Sequence, residues 1–90
     1  MTIYQWVFFD RGDDMKFAHF ESTDECEADR AAWEYFREYV ENARTRDELR
    51  YTTAETFDEF TGDDFGFKGA HYADCWNEGG LECTFFTITL

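Results

Sequence analysis

The longest regular pattern of apolar and polar positions lies in residues 24–45, where apolar side chains recur every three to four residues. With Phe36 at the centre and a rotation of about 100° per residue, five further apolar side chains fall within about 60° of it. These are Ala32, Trp33, Tyr39, Val40 and Ala43. The pattern therefore predicts one helix of about six turns with an apolar stripe that packs on a sheet.

The opposite face of this predicted helix is acidic, and a basic stripe runs along one flank. The glutamates of the opposite face are Glu27, Glu34, Glu38 and Glu41, and the arginines of the flank, Arg30, Arg37 and Arg44, repeat every seven residues. Three of the glutamates precede an arginine by three residues, a spacing that adds a few tenths of a kcal/mol per pair. We therefore expect this face to be largely neutralised. Asp29 alone falls in the apolar stripe, which places it near the end of the buried region or beside a partner.

Shorter apolar runs predict strands on both sides of the helix. Residues 2–9 are β-branched and aromatic, residues 15–21 alternate, and turn chemistry between them completes a hairpin. Residues 70–76 and 81–90 predict a second hairpin. A phase slip in the last run indicates a bulge, or a strand buried on both faces. Residues 45–51 are interpreted as a frayed helix end and a connection, with Leu49 and Tyr51 as candidates for the start of a short strand.

The element boundaries complete a predicted architecture. The spacing of Ser22 and Glu25 matches a capping box, which predicts Ser22 as the cap of the long helix. Residues 53–60 predict a short helix capped by Thr53 and ended by Gly62. The order β-β-α-β-β predicts an α+β fold, an antiparallel sheet of about four strands with one long amphipathic helix on one face and a short extra helix. A chain of 90 residues predicts a single compact domain over residues 1–90.

The net charge of the chain is the compositional feature that most affects the prediction of function. The chain carries 21 acidic and 8 basic residues, a formal net charge of −13, whereas roughly 2–8 suffices to keep a small domain soluble. Self-repulsion on this scale lowers stability, so we expect a basic partner. The uncompensated charge lies late, because residues 1–50 hold 13 acids and 7 bases whereas residues 51–90 hold 8 acids and 1 base.

An acidic connection without any basic residue is the first candidate site. Its carboxylates are Glu55, Asp58, Glu59, Asp63 and Asp64, and Asp13 and Asp14 of the first hairpin turn are candidates to extend the patch. Neighbouring carboxylates on a helix or turn lie about 5–6 Å apart, close to the phosphate spacing of a nucleic-acid strand, and basic clefts accept that charge density. The alternatives are an ordinary solvated loop and a polar hairpin turn.

Other chemistries have weaker support. The acidic connection lacks the spacing of a calcium loop, and no catalytic motif accompanies His71 with Cys75 or Asp74. We therefore expect no enzyme, no metal and no cofactor. An aromatic stacking face for single strands, made by Tyr4, Trp6, Tyr72 and Trp76, is opposed by the net charge, which repels nucleic acid.

Compartment and membrane association follow from composition. Three cysteines at no metal spacing indicate buried thiols in a reducing, cytoplasmic compartment, although a bridge between Cys75 and Cys83 is the alternative. The chain has no apolar run near 18 residues and no secretory signal at its start. We therefore expect no membrane association.

In overall character the chain resembles the anti-CRISPR proteins, small phage-encoded inhibitors of host defence. The resemblance lies in a short acidic, aromatic-rich chain with TIYQWVFF, one amphipathic helix and a terminal LECTFFTITL. It implies a non-enzymatic protein in the bacterial cytoplasm that binds a CRISPR effector complex, sometimes by occupying its DNA-binding surface. Our first hypothesis is an acidic inhibitor that blocks a basic nucleic-acid-binding surface. The second is an interaction or regulatory module that uses an aromatic sheet face, with charge serving solubility.

Overall fold

The computed structural model describes residues 1–12, 15–62, 68–76 and 79–90. Within them the chain forms five strands and two helices, in the order β1 Thr2–Asp10, β2 Lys16–Ser22, α1 Glu25–Thr45, β3 Leu49–Thr52, α2 Phe57–Thr61, β4 His71–Cys75 and β5 Leu81–Thr89. The predicted α+β class and antiparallel sheet are confirmed. The sheet has five strands rather than about four, because the segment that begins at Leu49 pairs with β4.

The five strands form one sheet in the order β2-β1-β5-β4-β3, with every neighbouring pair antiparallel. Both predicted hairpins are present. The first and last strands pair over nine positions, from Thr2 opposite Thr89 to Asp10 opposite Leu81. That register is uninterrupted, so the bulge predicted for the last strand is wrong. The alternative, a strand buried on both faces, is wrong as well, because Phe86 and Ile88 are exposed. Phe86 and Ile88 follow a regular alternation instead, and they point away from the helix.

The long helix begins later than its predicted cap. Asp24 is the N-cap, in extended conformation, and its Oδ1 accepts a hydrogen bond from the Glu27 backbone N–H at 3.2 Å. Ser22 is not the cap, because it still belongs to β2, and its Oγ accepts from the Asp24 N–H at 3.0 Å. Ser22, which the spacing assigned to the helix cap, is therefore the last residue of β2.

The core lies between α1 and one face of the sheet. Its largest fully buried side chains are Trp6, Phe8, Phe36, Phe60 and Leu81. The predicted apolar stripe is confirmed at Ala32, Phe36, Val40 and Ala43, which are buried, whereas Trp33 and Tyr39 are only half-buried. Aromatic rings provide most of the contact. Phe60 of α2 stacks on Trp6 at 4.5 Å between centroids and lies 5.1 Å from Phe36, so α2 packs on the same side of the sheet as α1.

Asp29 is buried in the apolar stripe and has two partners there. The Trp6 Nε1–H donates to its Oδ1 at 2.9 Å, and the Lys68 ammonium donates to its Oδ2 at 2.5 Å. Lys68 reaches this position because the chain beside it runs close to β5. Gly69 has a φ of +93°, and a Cβ at this position would overlap the Phe85 Cβ, so only glycine fits. Of the two interpretations of Asp29, the partnered one is correct.

The strand register assigns each strand residue to one of two faces, because cross-strand partners point to the same side. Trp6 and Phe8 face α1 together with their partners Phe85 and Cys83. The other side, named here the outer sheet face, carries Ile3, Gln5, Val7 and Phe9 of β1 with Ile88, Phe86, Thr84 and Glu82 opposite them. Among the described residues, neither helix lies on this side.

Candidate functional site

Three of the seven predicted site residues lie in the part of the chain that the structure describes. Glu55, Asp58 and Glu59 come together at the start of α2, all exposed. The other four predictions, Asp13, Asp14, Asp63 and Asp64, lie outside the described residues. The structure therefore brings part of the predicted acidic connection to one place, on the helical side of the sheet.

One of these carboxylates stabilises its own helix. The N-cap of α2 is Thr56 rather than the predicted Thr53, and its Oγ1 accepts from the Glu59 N–H at 3.2 Å. The Glu59 carboxylate in turn accepts from the Glu55 backbone N–H at 3.0 Å. This reciprocal arrangement resembles a capping box and lies later in the chain than the predicted start. Thr53 instead bonds β4, where its Oγ1 accepts from the Tyr72 N–H at 3.0 Å.

Glu55 has a basic partner, although the segment of sequence around it contains no basic residue. The Arg44 guanidinium of α1 donates to its carboxylate at 2.8 Å, with both side chains about half exposed. The expectation that the late acidic residues are uncompensated is therefore wrong at this residue. An exposed pair of this kind contributes at most about 1 kcal/mol to stability, but it removes one unpaired negative charge from the surface.

The arginine stripe of α1 lies between the glutamates of α1 and the α2 segment. Arg37 bonds both Glu34 at 2.8 Å and Glu41 at 2.9 Å, so one of the three predicted pairs is present. The other two are replaced by contacts to the α2 segment, because Arg44 pairs with Glu55 and Arg30 lies 5.3 Å from the Phe57 ring centroid. The stripe thus holds α2 against α1.

Several carboxylates on this side of the molecule stay without a basic partner. Among the described residues Glu27, Glu38 and Asp58 make no ion pair, and all three are exposed. Residues 24–48 and 53–62, which include both helices, hold together with Lys68 twelve acidic and five basic residues, a formal charge of −7. We define the helical surface by seven exposed carboxylates, namely Glu27, Glu34, Glu38 and Glu41 of α1, Glu55 before α2, and Asp58 and Glu59 of α2.

The outer sheet face has a different composition. Besides the β1 and β5 residues named above, the register and the contacts place Lys16, His19, Glu21, Tyr51, Tyr72, Asp74, Arg11 and Arg50 on it. Among the described residues of this face, three acidic side chains balance three basic ones. Large apolar side chains are exposed here, including Phe86 at 41% and Ile88 at 38%. Composition alone did not indicate this division of charge, because it depends on which residues share a face.

The catalytic pair considered in the sequence, His71 with Cys75 or Asp74, is not formed in the structure. Cys75 lies four residues along the same strand, about 13 Å away at the strand rise, and Asp74 points to the opposite face. The His71 ring lies against the Thr53 hydroxyl at 2.9 Å, and Asp74 is held by Arg11 and Arg50. These contacts are structural. The aromatic stacking face is not assembled either, because Trp6 is buried against α1 while Tyr72 lies on the outer sheet face.

The cysteines are three free thiols. Cys75 and Cys83 are buried as expected and form no bridge with each other, whereas the expectation of burial is wrong for Cys26, which is exposed. Burial raises the pKa of Cys83 to about 12, so this thiol stays protonated and unreactive at neutral pH. Within the described ranges, no group of three or more His, Cys, Asp or Glu side chains is arranged to hold a metal ion. In the same ranges no helix combines the length and apolarity that a bilayer span requires.

Comparison with protein-family models, with curated proteins and with solved structures found no match.

Proposed function

We propose that this protein is a non-enzymatic inhibitor that binds the basic nucleic-acid-binding surface of another protein through its helical surface. The carboxylates take the positions of phosphates and block access of the nucleic acid. The resemblance to anti-CRISPR proteins makes a CRISPR effector complex in the bacterial cytoplasm the first partner to test.

One observation supports this proposal above the others, the division of charge between the two sides of the molecule. Counted over the residues that the structure describes, the helical side carries a large excess of carboxylates, whereas the outer sheet face is balanced. A charge excess that served only solubility would gain nothing from such a division, because any exposed position keeps a protein soluble. A one-sided excess is the arrangement that steers and orients a basic partner.

Of the described carboxylates, the ones most available to a partner are only partly those that the sequence favoured, because Asp58 is common to both sets whereas Glu27 and Glu38 are added. Glu55 and Glu59 already have partners within the molecule, so they are less available to an external cation. Glu27, Glu38 and Asp58 are exposed and without ion pairs among the described residues. Lysine and arginine side chains of a partner would form charge-assisted hydrogen bonds with them, which are about twice as strong as neutral ones.

The experiment is competition with DNA. The immobilised protein captures prey from a bacterial lysate at low salt, with and without added duplex DNA, and a purified guide-loaded CRISPR effector complex is tested in parallel for binding of its target DNA. We expect the DNA to displace the prey, and salt to weaken the capture steeply. Prey that stays bound in the presence of excess DNA would contradict a mimic of nucleic acid.

A second candidate function is favoured by the exposed apolar side chains of the outer sheet face. In this alternative the protein is an interaction or regulatory module that binds through that face, and its charge serves solubility. An apolar interface keeps its affinity as salt increases, whereas the charged interface of the first proposal loses it. The salt series of the same capture experiment therefore distinguishes the two.

A further inference from the structure

We propose that the outer sheet face is covered by the same face of a second copy of this chain. The result is a symmetric dimer in which two five-stranded sheets pack face to face, about 10 Å apart. This inference does not depend on the proposed function, because it concerns the opposite side of the molecule.

The apolar content of the face is the first argument. An antiparallel sheet often leaves one face to water, but that face is then mainly polar. Here the two central strands place Ile3, Val7 and Phe9 beside Ile88 and Phe86. Val7 is only 8% exposed although no described helix or strand covers it, because the side chains around it already exclude water. Gln5, Thr84 and Glu82 lie between these apolar side chains on the same two strands. An apolar cluster at the centre of an uncovered sheet is typical of an interface.

The size of the face is the second argument. The two central strands have nine residues each, which gives about 30 Å of length, and five strands at about 4.8 Å give about 24 Å of width. The shorter outer strands reduce the flat area to roughly 600 Å², and side-chain relief increases the accessible area above that. The face therefore offers close to the ~800 Å² per partner that a standard interface buries.

Charge indicates which partner fits. Two copies that each carry −13 repel one another, so they can associate only through a surface without excess charge. The outer sheet face is such a surface, because within the described part of the chain it balances three basic against three acidic side chains. These are Arg11, Lys16 and Arg50 against Glu21, Asp74 and Glu82. A strongly basic partner gains no attraction from a balanced face and would bind the helical surface instead. The balance therefore favours a second copy over the basic partner of the proposed function.

The dimer has a geometric consequence. Because each sheet has its helices on the side away from the interface, the two helical surfaces face outward in opposite directions. The dimer would present the acidic surface twice, and both copies would be accessible to partners at the same time.

Sedimentation equilibrium tests the inference, with the 10.8 kDa chain as the monomer reference. Phe86→Asp and Ile88→Lys change the charge in opposite directions on the outer sheet face, and Asn42→Asp and Asn42→Lys are the matched controls on exposed α1. We expect the wild type and both controls to dimerise, more tightly at higher salt because screening reduces the repulsion. Both face variants are expected to be monomers, with dissociation constants at least about tenfold weaker.

NMR of the wild type tests the same inference if a variant of the outer sheet face does not fold. On dilution of the isotope-labelled wild type, the methyl NMR signals of Ile3, Val7 and Ile88 should shift, whereas those of Val40 and Ala43 in α1 should not. A wild type that stays monomeric at millimolar concentration would overturn the inference. So would a dimer that survives in both folded face variants, or dilution shifts at α1 instead of the sheet.

Discussion

At the scale of the single residue, Asp29 connects three parts of the chain that are distant in sequence. Its carboxylate accepts from Trp6 of β1 and from Lys68, which precedes β4, while Lys68 also bonds Glu25 at 2.8 Å. The helical period alone showed that Asp29 was misplaced on an apolar stripe. It could not identify Lys68, because the two residues are 39 positions apart and meet only when β4 joins the sheet.

Removing this carboxylate should destabilise the fold. We expect Asp29→Ala to lower the free energy of unfolding by about 2–3 kcal/mol, since it leaves the Trp6 N–H and the half-buried ammonium without their acceptor. Asp29→Asn retains an acceptor for Trp6 and should cost about half as much. Chemical denaturation measures both changes.

The matched control for this prediction is Glu25→Gln, because Glu25 is an exposed partner of the same lysine. Its expected cost is below about 1 kcal/mol. If Asp29→Ala and Glu25→Gln lower the free energy of unfolding by the same amount, the buried role of Asp29 is contradicted.

Alkaline pH should weaken the fold. Burial raises the pKa of Cys83 from 9.0 to about 12 and raises the pKa of Tyr35. Burial alone would lower the pKa of Lys68, but hydrogen bonds to Asp29 and Glu25 outweigh it, so that pKa is also raised. In each case the unfolded chain releases its proton at a lower pH than the folded chain, so the free energy of unfolding falls as the pH rises.

For Cys83 this loss begins near pH 9.0 and continues towards about 12, at up to about 1.4 kcal/mol per pH unit. Denaturation curves recorded at increasing pH measure it. Cys83→Ala should have a shallower slope over this range, whatever its stability at neutral pH. A free energy of unfolding that is constant or rising above pH 9.0 would be inconsistent with these shifts.

At the scale of the element, periodicity predicted the type of each segment and, except for α2, its ends to within about one residue, but it assigned both helix caps to the wrong side chains. The stripe centred on Phe36 and the alternation in the two hairpins are set by burial, which repeats over many residues, so the pattern is redundant. A cap depends on one side chain. Ser22, Thr23 and Asp24 are all capping residues by type, and Asp24 is the cap because pairing with β1 keeps Ser22 in its strand.

The cap assignment can be tested by substitution. Asp24→Ala should lower the free energy of unfolding by about 1 kcal/mol, because the Glu27 N–H loses its acceptor. Asp24→Asn keeps that acceptor and should cost much less. Ser22→Ala serves as the comparison and should also be nearly neutral for the helix. If thermal denaturation ranks Ser22→Ala as the more costly change, the helix is capped as the spacing alone suggested.

At the scale of the whole molecule, the sequence indicated how much charge there is but not where it lies. The count in residues 51–90 placed the excess after the helix, yet Glu55 pairs with Arg44, eleven residues earlier. Which acid meets which arginine is decided by the packing of Phe60 between the helices and the sheet. The outer sheet face was unpredictable for the same reason, because the apparent phase slip in β5 concealed its regular alternation.

The measurement that tests the central claim most directly compares two double charge reversals with the same change in net charge. Glu38→Lys with Asp58→Lys alters the helical surface, and Glu21→Lys with Glu82→Lys alters the outer sheet face. For each protein, the concentration that displaces duplex DNA from a captured basic partner is determined at low salt. We expect the helical pair to raise that concentration about tenfold or more, and the sheet pair to change it little. Equal effects, or a larger effect of the sheet pair, would contradict binding through the helical surface.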